Sequence, residues 1–303
     1  MIRYIIFLLL LFVSMYANEK HDQATIDSMK NYIKDLEWKL NSKVQEDKYR
    51  YNLMSHYPNY ILFVSTTNTK LFKTYDNKIT PRDKNEAQFQ VSIKVPIFTN
   101  IFNSKGDLFV SYTQNSFWQV YDKDDSSPFR ETNYQPELFW QLDLKNKNKI
   151  GLKTIRISAI HQSNGRTVTH SRSWNRSELH MLFEAKKFFY GLNIWNRWNE
   201  PYNDDANSTR DDDNPYLTKF IGNQKIFVGF KYKRFKNTLT YQNDIFDFKT
   251  DKGNIVLDII LPSNNHNFNY FLRYFDGYGE TLIDYDKDIR RYSFGIIIAS
   301  PFW

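Results

Sequence analysis

A histidine, a serine and an asparagine lie close enough in this sequence to act together. His161 and Ser163 are two residues apart, and Asn175 follows twelve residues after the serine. An imidazole can take the proton of a serine hydroxyl, and a third polar group can orient the imidazole. These residue types therefore suit nucleophilic catalysis by Ser163.

A β-hairpin over residues 161–176 would bring the three side chains onto one surface. Successive side chains of a strand point to opposite faces. His161, Ser163 and Asn175 are in phase with apolar residues, namely Ile155, Ile157, Ala159, Leu179, Met181 and Phe183. The polar residues of the return strand point the other way, namely Arg176, Glu178, His180 and Glu184. The side chains of His161, Ser163 and Asn175 are thus predicted to lie on an apolar face.

The composition indicates that this apolar face contacts lipid. Aromatic residues make up 17% of the 303 residues, while the mean hydropathy is −0.63. This combination excludes a bundle of transmembrane helices and suits strands that alternate between a lipid-facing and a polar side. Cysteine is absent, which excludes a disulfide scaffold and thiolate metal sites. The net charge is +7, and the basic residues are interleaved with acidic ones. We therefore expect anionic lipid headgroups, and no nucleic acid, as the partner.

The pattern beyond His56 predicts an all-β domain of twelve antiparallel strands. We place them near 58–66, 87–98, 107–121, 133–144, 150–163, 173–184, 187–198, 217–230, 236–247, 254–262, 268–275 and 290–302. The connections alternate between tight turns and long loops, which is typical of outer-membrane barrels. The last strand carries aromatic and aliphatic residues on one face and ends at Phe302-Trp303. A soluble β-sandwich or lipocalin-like barrel is the alternative fold with similar alternation.

The segment before the barrel divides into two parts. Residues 1–17 combine Arg3 with an apolar run that ends at Ala17, which predicts a secretory signal peptide. Residues 18–56 are highly charged and include apolar residues at helical spacing, so we expect a helical periplasmic extension. The barrel domain is then predicted to occupy residues 57–303.

Several blocks of sequence resemble the outer-membrane phospholipase A family of Gram-negative bacteria. They are SYTQNSFWQ at 111–119, SSPFRETNYQPELF at 126–139, HQSNGR and SRSWNR within 161–176, DDNPYLTKF at 212–220 and DGYGETLIDY at 276–285. The resemblance covers the chain from about Pro58 onwards. It implies a transmembrane barrel in the bacterial outer membrane that hydrolyses the acyl esters of phospholipids, with phospholipase A1, A2 and lysophospholipase activity.

The same resemblance implies a role for each site residue. Ser163 would be the nucleophile, His161 the general base, Asn175 the residue that orients His161, and Gly165 the donor of an oxyanion N–H. An active homodimer with Ca²⁺ is also implied, and the ligands would be the Arg166 carbonyl, the Ser171 hydroxyl and, in trans, the Ser126 carbonyl.

Three further residues bear on calcium and on the dimer. A second, monomeric calcium site would use Asp213, but Val168 stands where the family has an acidic residue. Without the family context, residues 211–213 read as a solvated acidic loop. Gln114 is in phase with the lipid-facing residues of its strand, where an amide is costly. The resemblance implies that Gln114 bonds across the dimer interface, and a position at the headgroup boundary is the alternative.

The predicted topology orients the protein in the membrane. With a periplasmic N-terminus, the loops at 122–132, 164–172 and 199–216 lie together outside the cell, so the active site faces the outer leaflet. A non-catalytic porin or structural barrel is the main alternative function. Such a barrel would have no need of His161, Ser163 and Asn175 on its lipid face.

Overall fold

The computed structural model describes most of the chain. The described residues are 27–37, 52–68, 72–75, 78–81, 84–101, 106–123, 126–144, 150–167, 170–201, 212–244, 252–265 and 267–299. Helix α1 spans residues 27–37, and helix α2 spans Leu217–Ile221. The strands are β1 Met54–Ser55, β2 Asn59–Thr67, β3 Phe72–Tyr75, β4 Lys78–Pro81, β5 Asn85–Phe98, β6 Asp107–Trp118, β7 Phe129–Asp143, β8 Leu152–Ser163, β9 Ser173–Ala185, β10 Phe188–Arg197, β11 Gln224–Tyr232, β12 Phe235–Asn243, β13 Asn254–Pro262, β14 Asn269–Gly277 and β15 Ile289–Ala299.

Twelve of these strands form a closed antiparallel barrel, as the sequence predicts. Strands β5 to β15 pair with their neighbours in chain order, β15 pairs with β2, and β2 pairs with β5. The strand β1 adds a short pairing to β5, and β3 and β4 form a separate hairpin. Closure leaves no unpaired edge in the ring, which satisfies the backbone hydrogen-bonding groups within a membrane.

Short connections gather at one end of the barrel and long loops at the other. The turns β9–β10 and β11–β12 contain two residues each, and they begin with Lys186 and Lys233 at φ of 56° and 53°. Positive φ at this position matches the twist of tight hairpins. The loops β6–β7, β8–β9 and β10–β11 lie together at the opposite end, which confirms the predicted alternation.

The barrel has a polar interior and an apolar exterior. Ion pairs fill the interior near the long loops, where Arg130 binds Glu86 at 2.9 Å and Asp284 at 2.5 Å. Aliphatic side chains cover the outer surface and include Val110, Leu138, Ile157, Val228, Leu239, Ile255 and Ile298. The final strand follows this rule, since Tyr292 and Phe294 are exposed while Arg291 and Ser293 are buried.

Helix α2 takes the place of the first part of one predicted strand. We predicted a strand over residues 217–230, but residues 217–221 are helical and the strand begins at Gln224. Leu217 and Ile221 are four residues apart, so both reach one apolar cluster with Trp174, Trp195 and Leu282 inside the barrel. Gly222 ends the helix at φ 67°, a conformation that glycine adopts readily.

The N-terminal segment forms a unit of its own, residues 1–52. Helix α1 is part of this unit, is mostly exposed and lies within the predicted helical extension. No helix in the described part of the chain is long and apolar enough to cross a membrane. The predicted signal peptide, Val168 and the terminal Phe302-Trp303 lie outside the described residues.

Candidate active site

His161 and Asn175 are direct partners across strands β8 and β9. His161 Nδ1 and Asn175 Oδ1 are 2.9 Å apart. An amide oxygen can only accept, so Nδ1 carries the proton and Nε2 is left as the basic nitrogen. His161 is exposed on the outer surface, whereas Arg176 and Glu178 of β9 are buried in the lumen. The predicted face for both residues is therefore the one observed.

Ser163 ends strand β8 on the same face, two residues beyond His161. It pairs with Ser173 of β9 and with Tyr134 of β7, and it is partly exposed. No hydrogen bond joins Ser163 to His161 in the described structure. Such contacts commonly tighten only when substrate binds, and the two side chains already share one face of β8.

The loop that follows Ser163 is held in shape by Asn164, which is 4% exposed. Its amide nitrogen donates to the His170 carbonyl at 2.8 Å, and its oxygen accepts from the Arg172 N–H at 3.0 Å and the Arg166 N–H at 3.3 Å. Gly165 lies between these anchors with φ of 63° and is exposed. The loop thereby presents the Gly165 backbone next to Ser163.

A buried carboxylate fixes the next residue of the loop. Glu131 is fully buried and accepts from Arg166 Nε at 3.1 Å and from Asn133 Nδ2 at 2.7 Å. The Arg166 guanidinium also donates to the Arg130 carbonyl. The sequence analysis did not single out Glu131, because nothing distinguishes it from other acids within the block at 126–139.

Ser171 and Asp213 are brought together, although they lie on different loops. Ser171 Oγ donates to Asp213 Oδ2 at 2.6 Å, and Asp213 Oδ1 accepts from the Ser173 N–H at 2.9 Å. The neighbouring Asp212 instead accepts from Arg197. Both described aspartates of the acidic loop are thus hydrogen-bonded within the protomer, and a role of Asp213 in calcium binding stays a prediction.

Ser126 lies on the loop between β6 and β7, exposed and at φ 58°. Within the described chain, no hydrogen bond connects it to Arg166 or Ser171. The role of the Ser126 carbonyl as a calcium ligand in trans stays a prediction.

The oxygen donors of this region suit a hard cation. A hydroxyl that donates its proton to a carboxylate keeps its lone pairs available, so Ser171 beside Asp213 offers oxygen ligands of the kind that Ca²⁺ prefers. Among the described residues, no group of three or more His, Cys, Asp or Glu side chains forms a metal cluster. Partial burial and the guanidinium groups of Arg166 and Arg172 lower the pKa of His170, which favours its neutral form.

Gln114 lies on the outer face of β6, in phase with the exposed Val110 and Tyr112. Its amide has partners within the chain, since Oε1 accepts from the Tyr112 hydroxyl at 3.3 Å and Nε2 donates to Ser116 Oγ at 3.1 Å. Gln114 pairs with Tyr134, which in turn pairs with Ser163. The amide therefore lies two strands from the serine, on the same surface.

Asn175 has a second partner that the sequence analysis missed. Its amide nitrogen donates to Glu200 Oε1 at 2.5 Å. Glu200 follows strand β10 and lies 25 residues from Asn175 along the chain. No periodicity extends into this loop, so the sequence pattern carried no signal for the contact.

The fold defines a class of protein: an outer-membrane barrel, here with His161, Ser163 and Asn175 on its exterior. The family model described as phospholipase A1 matches residues 36–298. The chain belongs to this family, and it is an enzyme of the outer membrane.

Curated relatives agree with this assignment. The phospholipase A1 of Proteus vulgaris is 29% identical over 285 residues, which cover 92% of this chain and 93% of the relative. The Klebsiella pneumoniae phospholipase A1 is 32% identical over 249 residues, which cover 80% and 81% respectively. The match thus extends over more than four fifths of each relative.

Solved structures share the fold. The Salmonella typhi outer-membrane phospholipase dimer with bound calcium superposes with a TM-score of 0.72 at 29% identity, covering 84% of this chain and 94% of that one. Escherichia coli outer-membrane phospholipase A gives the same TM-score at 28% identity, covering 82% and 95%. A further structure of the E. coli enzyme carries an asparagine-to-alanine substitution in its active site.

Proposed function

We propose that this protein hydrolyses the acyl ester bonds of phospholipids at the A1 and A2 positions, and those of lysophospholipids, with a Ser163–His161–Asn175 triad. The observation that carries the proposal is the 2.9 Å hydrogen bond between His161 and Asn175 on the outer face of the barrel. An acyl ester in the outer leaflet reaches this face without leaving the membrane. The active-site asparagine of the E. coli relative supports the role of Asn175.

The roles follow from the orientation of the imidazole. Asn175 holds the proton on His161 Nδ1, so Nε2 can accept the proton of Ser163 as its oxygen attacks the ester carbonyl. The tetrahedral intermediate places negative charge on the former carbonyl oxygen, and the Gly165 N–H donates to it. His161 then returns the proton to the departing lysolipid oxygen. Water repeats the sequence on the acyl-serine and releases the fatty acid.

Calcium would be held by the Arg166 carbonyl and the Ser171 hydroxyl of one protomer and by the Ser126 carbonyl of the partner subunit. Glu131 and Asn164 fix the loop that carries Arg166, and Asp213 fixes Ser171. Bound there, calcium supplies positive charge near the developing oxyanion. The Salmonella relative is a dimer with bound calcium, which supports calcium binding by a dimer of this protein.

The active state is a homodimer that joins through the surface bearing Gln114 and the triad. A second copy would complete the calcium shell and form the other wall of a cleft for an acyl chain. The long loops face outward, so the site meets the outer leaflet. Activity would then follow the arrival of phospholipid in that leaflet.

Fatty-acid release from phospholipid micelles, with and without calcium, tests the proposal. We expect release by the wild-type protein with calcium, none after chelation, and none from Ser163→Ala under either condition. Sequential loss of both chains from a diacyl phospholipid distinguishes a combined A and lysophospholipase activity from A1 activity alone. No release by a folded wild-type barrel would contradict the proposal.

A further inference from the structure

Glu200 contacts the proposed triad through the Asn175 amide. The Asn175 amide has two ends, and its oxygen faces His161 Nδ1 while its nitrogen donates to Glu200 Oε1. An ionised carboxylate accepts hydrogen bonds and cannot donate them. Only the NH₂ end of Asn175 can therefore face Glu200.

This restriction decides the tautomer of His161. If Asn175 turned its NH₂ end toward the imidazole, Nδ1 would have to accept and Nε2 would carry the proton. Nε2 could then no longer take the proton of Ser163. A carboxylate behind the amide makes that reversed orientation unfavourable, because it would oppose two oxygen acceptors.

Glu200 is held in this position by its neighbours. The Trp198 N–H donates to the Asn175 carbonyl at 2.8 Å, and Trp198 Nε1 donates to Ser177 Oγ at 2.9 Å. On the other side, the Pro201 carbonyl accepts from the Asp212 N–H at 2.8 Å. The segment that carries Glu200 is thus fastened both to strand β9 and to the acidic loop.

The carboxylate also supplies charge that asparagine lacks. An aspartate in a triad stabilises the imidazolium that forms during catalysis, whereas a neutral amide gives less support. Asn175 stands between Glu200 and His161, and Glu200 is partly buried. The charge of Glu200 therefore acts through the Asn175 amide, which it polarises.

We propose that Glu200 is a positioning residue of the catalytic machinery, which fixes the Asn175 amide and supports the His161 imidazolium through it. The inference rests on the triad proposed above and adds a fourth member to it. Its action passes through Asn175, so its effect should disappear when Asn175 is removed.

The test compares Glu200→Gln, Glu200→Ala, Asn175→Ala and the double variant Asn175→Ala/Glu200→Ala. Glu200→Gln keeps an oxygen acceptor and loses the charge. Asp286→Asn is the matched control, since it removes an exposed carboxylate from the long-loop end of the barrel. Initial rates of fatty-acid release are measured from pH 5 to pH 10 with saturating calcium.

We expect kcat to fall about threefold to tenfold in Glu200→Gln and about tenfold to a hundredfold in Glu200→Ala, with KM unchanged. The low-pH limb of the profile should move to lower pH in both variants, because the imidazolium that forms during catalysis loses a nearby negative charge. The Asp286→Asn profile should match that of the wild type. The double variant should be no slower than Asn175→Ala alone.

Unchanged rates and an unchanged pH limb in Glu200→Ala would overturn the inference, as would losses that multiply in the double variant. A failure of the triad itself looks different. In that case Ser163→Ala retains activity, whatever the Glu200 variants do.

Discussion

The aromatic ring of Tyr134 lies against the backbone of Gly165. A Cβ atom built on Gly165 would be 3.1 Å from Tyr134 Cε2, and the glycine has φ of 63°. Any other residue would meet both the ring and a left-handed backbone, which costs on the order of 1 kcal/mol for an L-residue. The donor of the proposed oxyanion N–H is therefore specified by its backbone and by its neighbour.

Gly165→Ala should reduce kcat by about a hundredfold to a thousandfold, the usual effect of losing one oxyanion donor. The added methyl group pushes the loop away from Tyr134 and displaces the N–H. Thr167→Ala, an exposed position of the same loop, is the control and should retain wild-type rates. Equal activity of the two variants in micelle assays would show that the Gly165 N–H is not used.

Asn175→Ala should be slower than the wild type by roughly tenfold to a thousandfold, a milder loss than removing the nucleophile. The substitution removes the orientation of His161 and leaves Ser163 and the imidazole in place. Steady-state rates together with heat-modifiability on gels measure activity and folding in the same samples. A loss as complete as that of Ser163→Ala would mean that Asn175 does more than orient the base.

The barrel could be predicted because its two environments demand opposite residues. Lipid requires apolar side chains outside and the lumen accepts polar ones. The alternation of residue types along each strand therefore indicates which face each side chain occupies. The same alternation predicted that His161 and Asn175 share the outer face, and the register of the hairpin then pairs them directly. This part of the site needed only local information.

The rest of the site depends on contacts between loops. Glu200 reaches Asn175 because Trp198 and Pro201 are each hydrogen-bonded to distant segments, and no repeat pattern describes such a path. The helix at Leu217–Ile221 was missed for a related reason. Its apolar residues suit a strand as well as a helix, and packing against Trp174 and Trp195 decides between them.

Calcium should bind mainly to the dimer and only weakly to the monomer. Val168 supplies no carboxylate for the second site that Asp213 would otherwise share, and fewer charged ligands lower calcium affinity. Calorimetry on detergent-solubilised monomer and on crosslinked dimer measures the difference. Val168→Asp should strengthen binding to the monomer, whereas tight binding by the wild-type monomer would show that Asp213 and its neighbours suffice.

Asp213→Asn should weaken calcium binding to the dimer by about tenfold, because Ser171 loses the carboxylate that holds it. Chelation should stop hydrolysis, and added calcium should restore it. The exposed Asp288 offers a control, since Asp288→Asn removes the same charge from another loop. Equal calcium titrations for both variants would exclude Asp213 from the site.

Gln114→Ala should weaken dimerisation by about 0.5–1 kcal/mol, the usual range for polar contacts between membrane helices and here a guide for strands. The wild-type amide already has Tyr112 and Ser116 as partners in the monomer, which limits the gain on association. Leu239→Ala on β12, across the ring, is the control. Crosslinking yield and specific activity are followed together across protein-to-detergent ratios, and full activity in monomeric samples would break the link between dimer and catalysis.

Covalent labelling of the nucleophile tests the central claim most directly. A fluorophosphonate with a long alkyl chain is added to the calcium-loaded protein in detergent, and the modified residue is identified by mass spectrometry while fatty-acid release is measured. We predict that one label per active site is found on Ser163, that activity falls in proportion, and that Ser163→Ala and His161→Ala barrels remain heat-modifiable but neither hydrolyse phospholipid nor take up the label. Inactivation through a different residue, or wild-type turnover by Ser163→Ala, would contradict the assignment of the outer-face serine as the nucleophile.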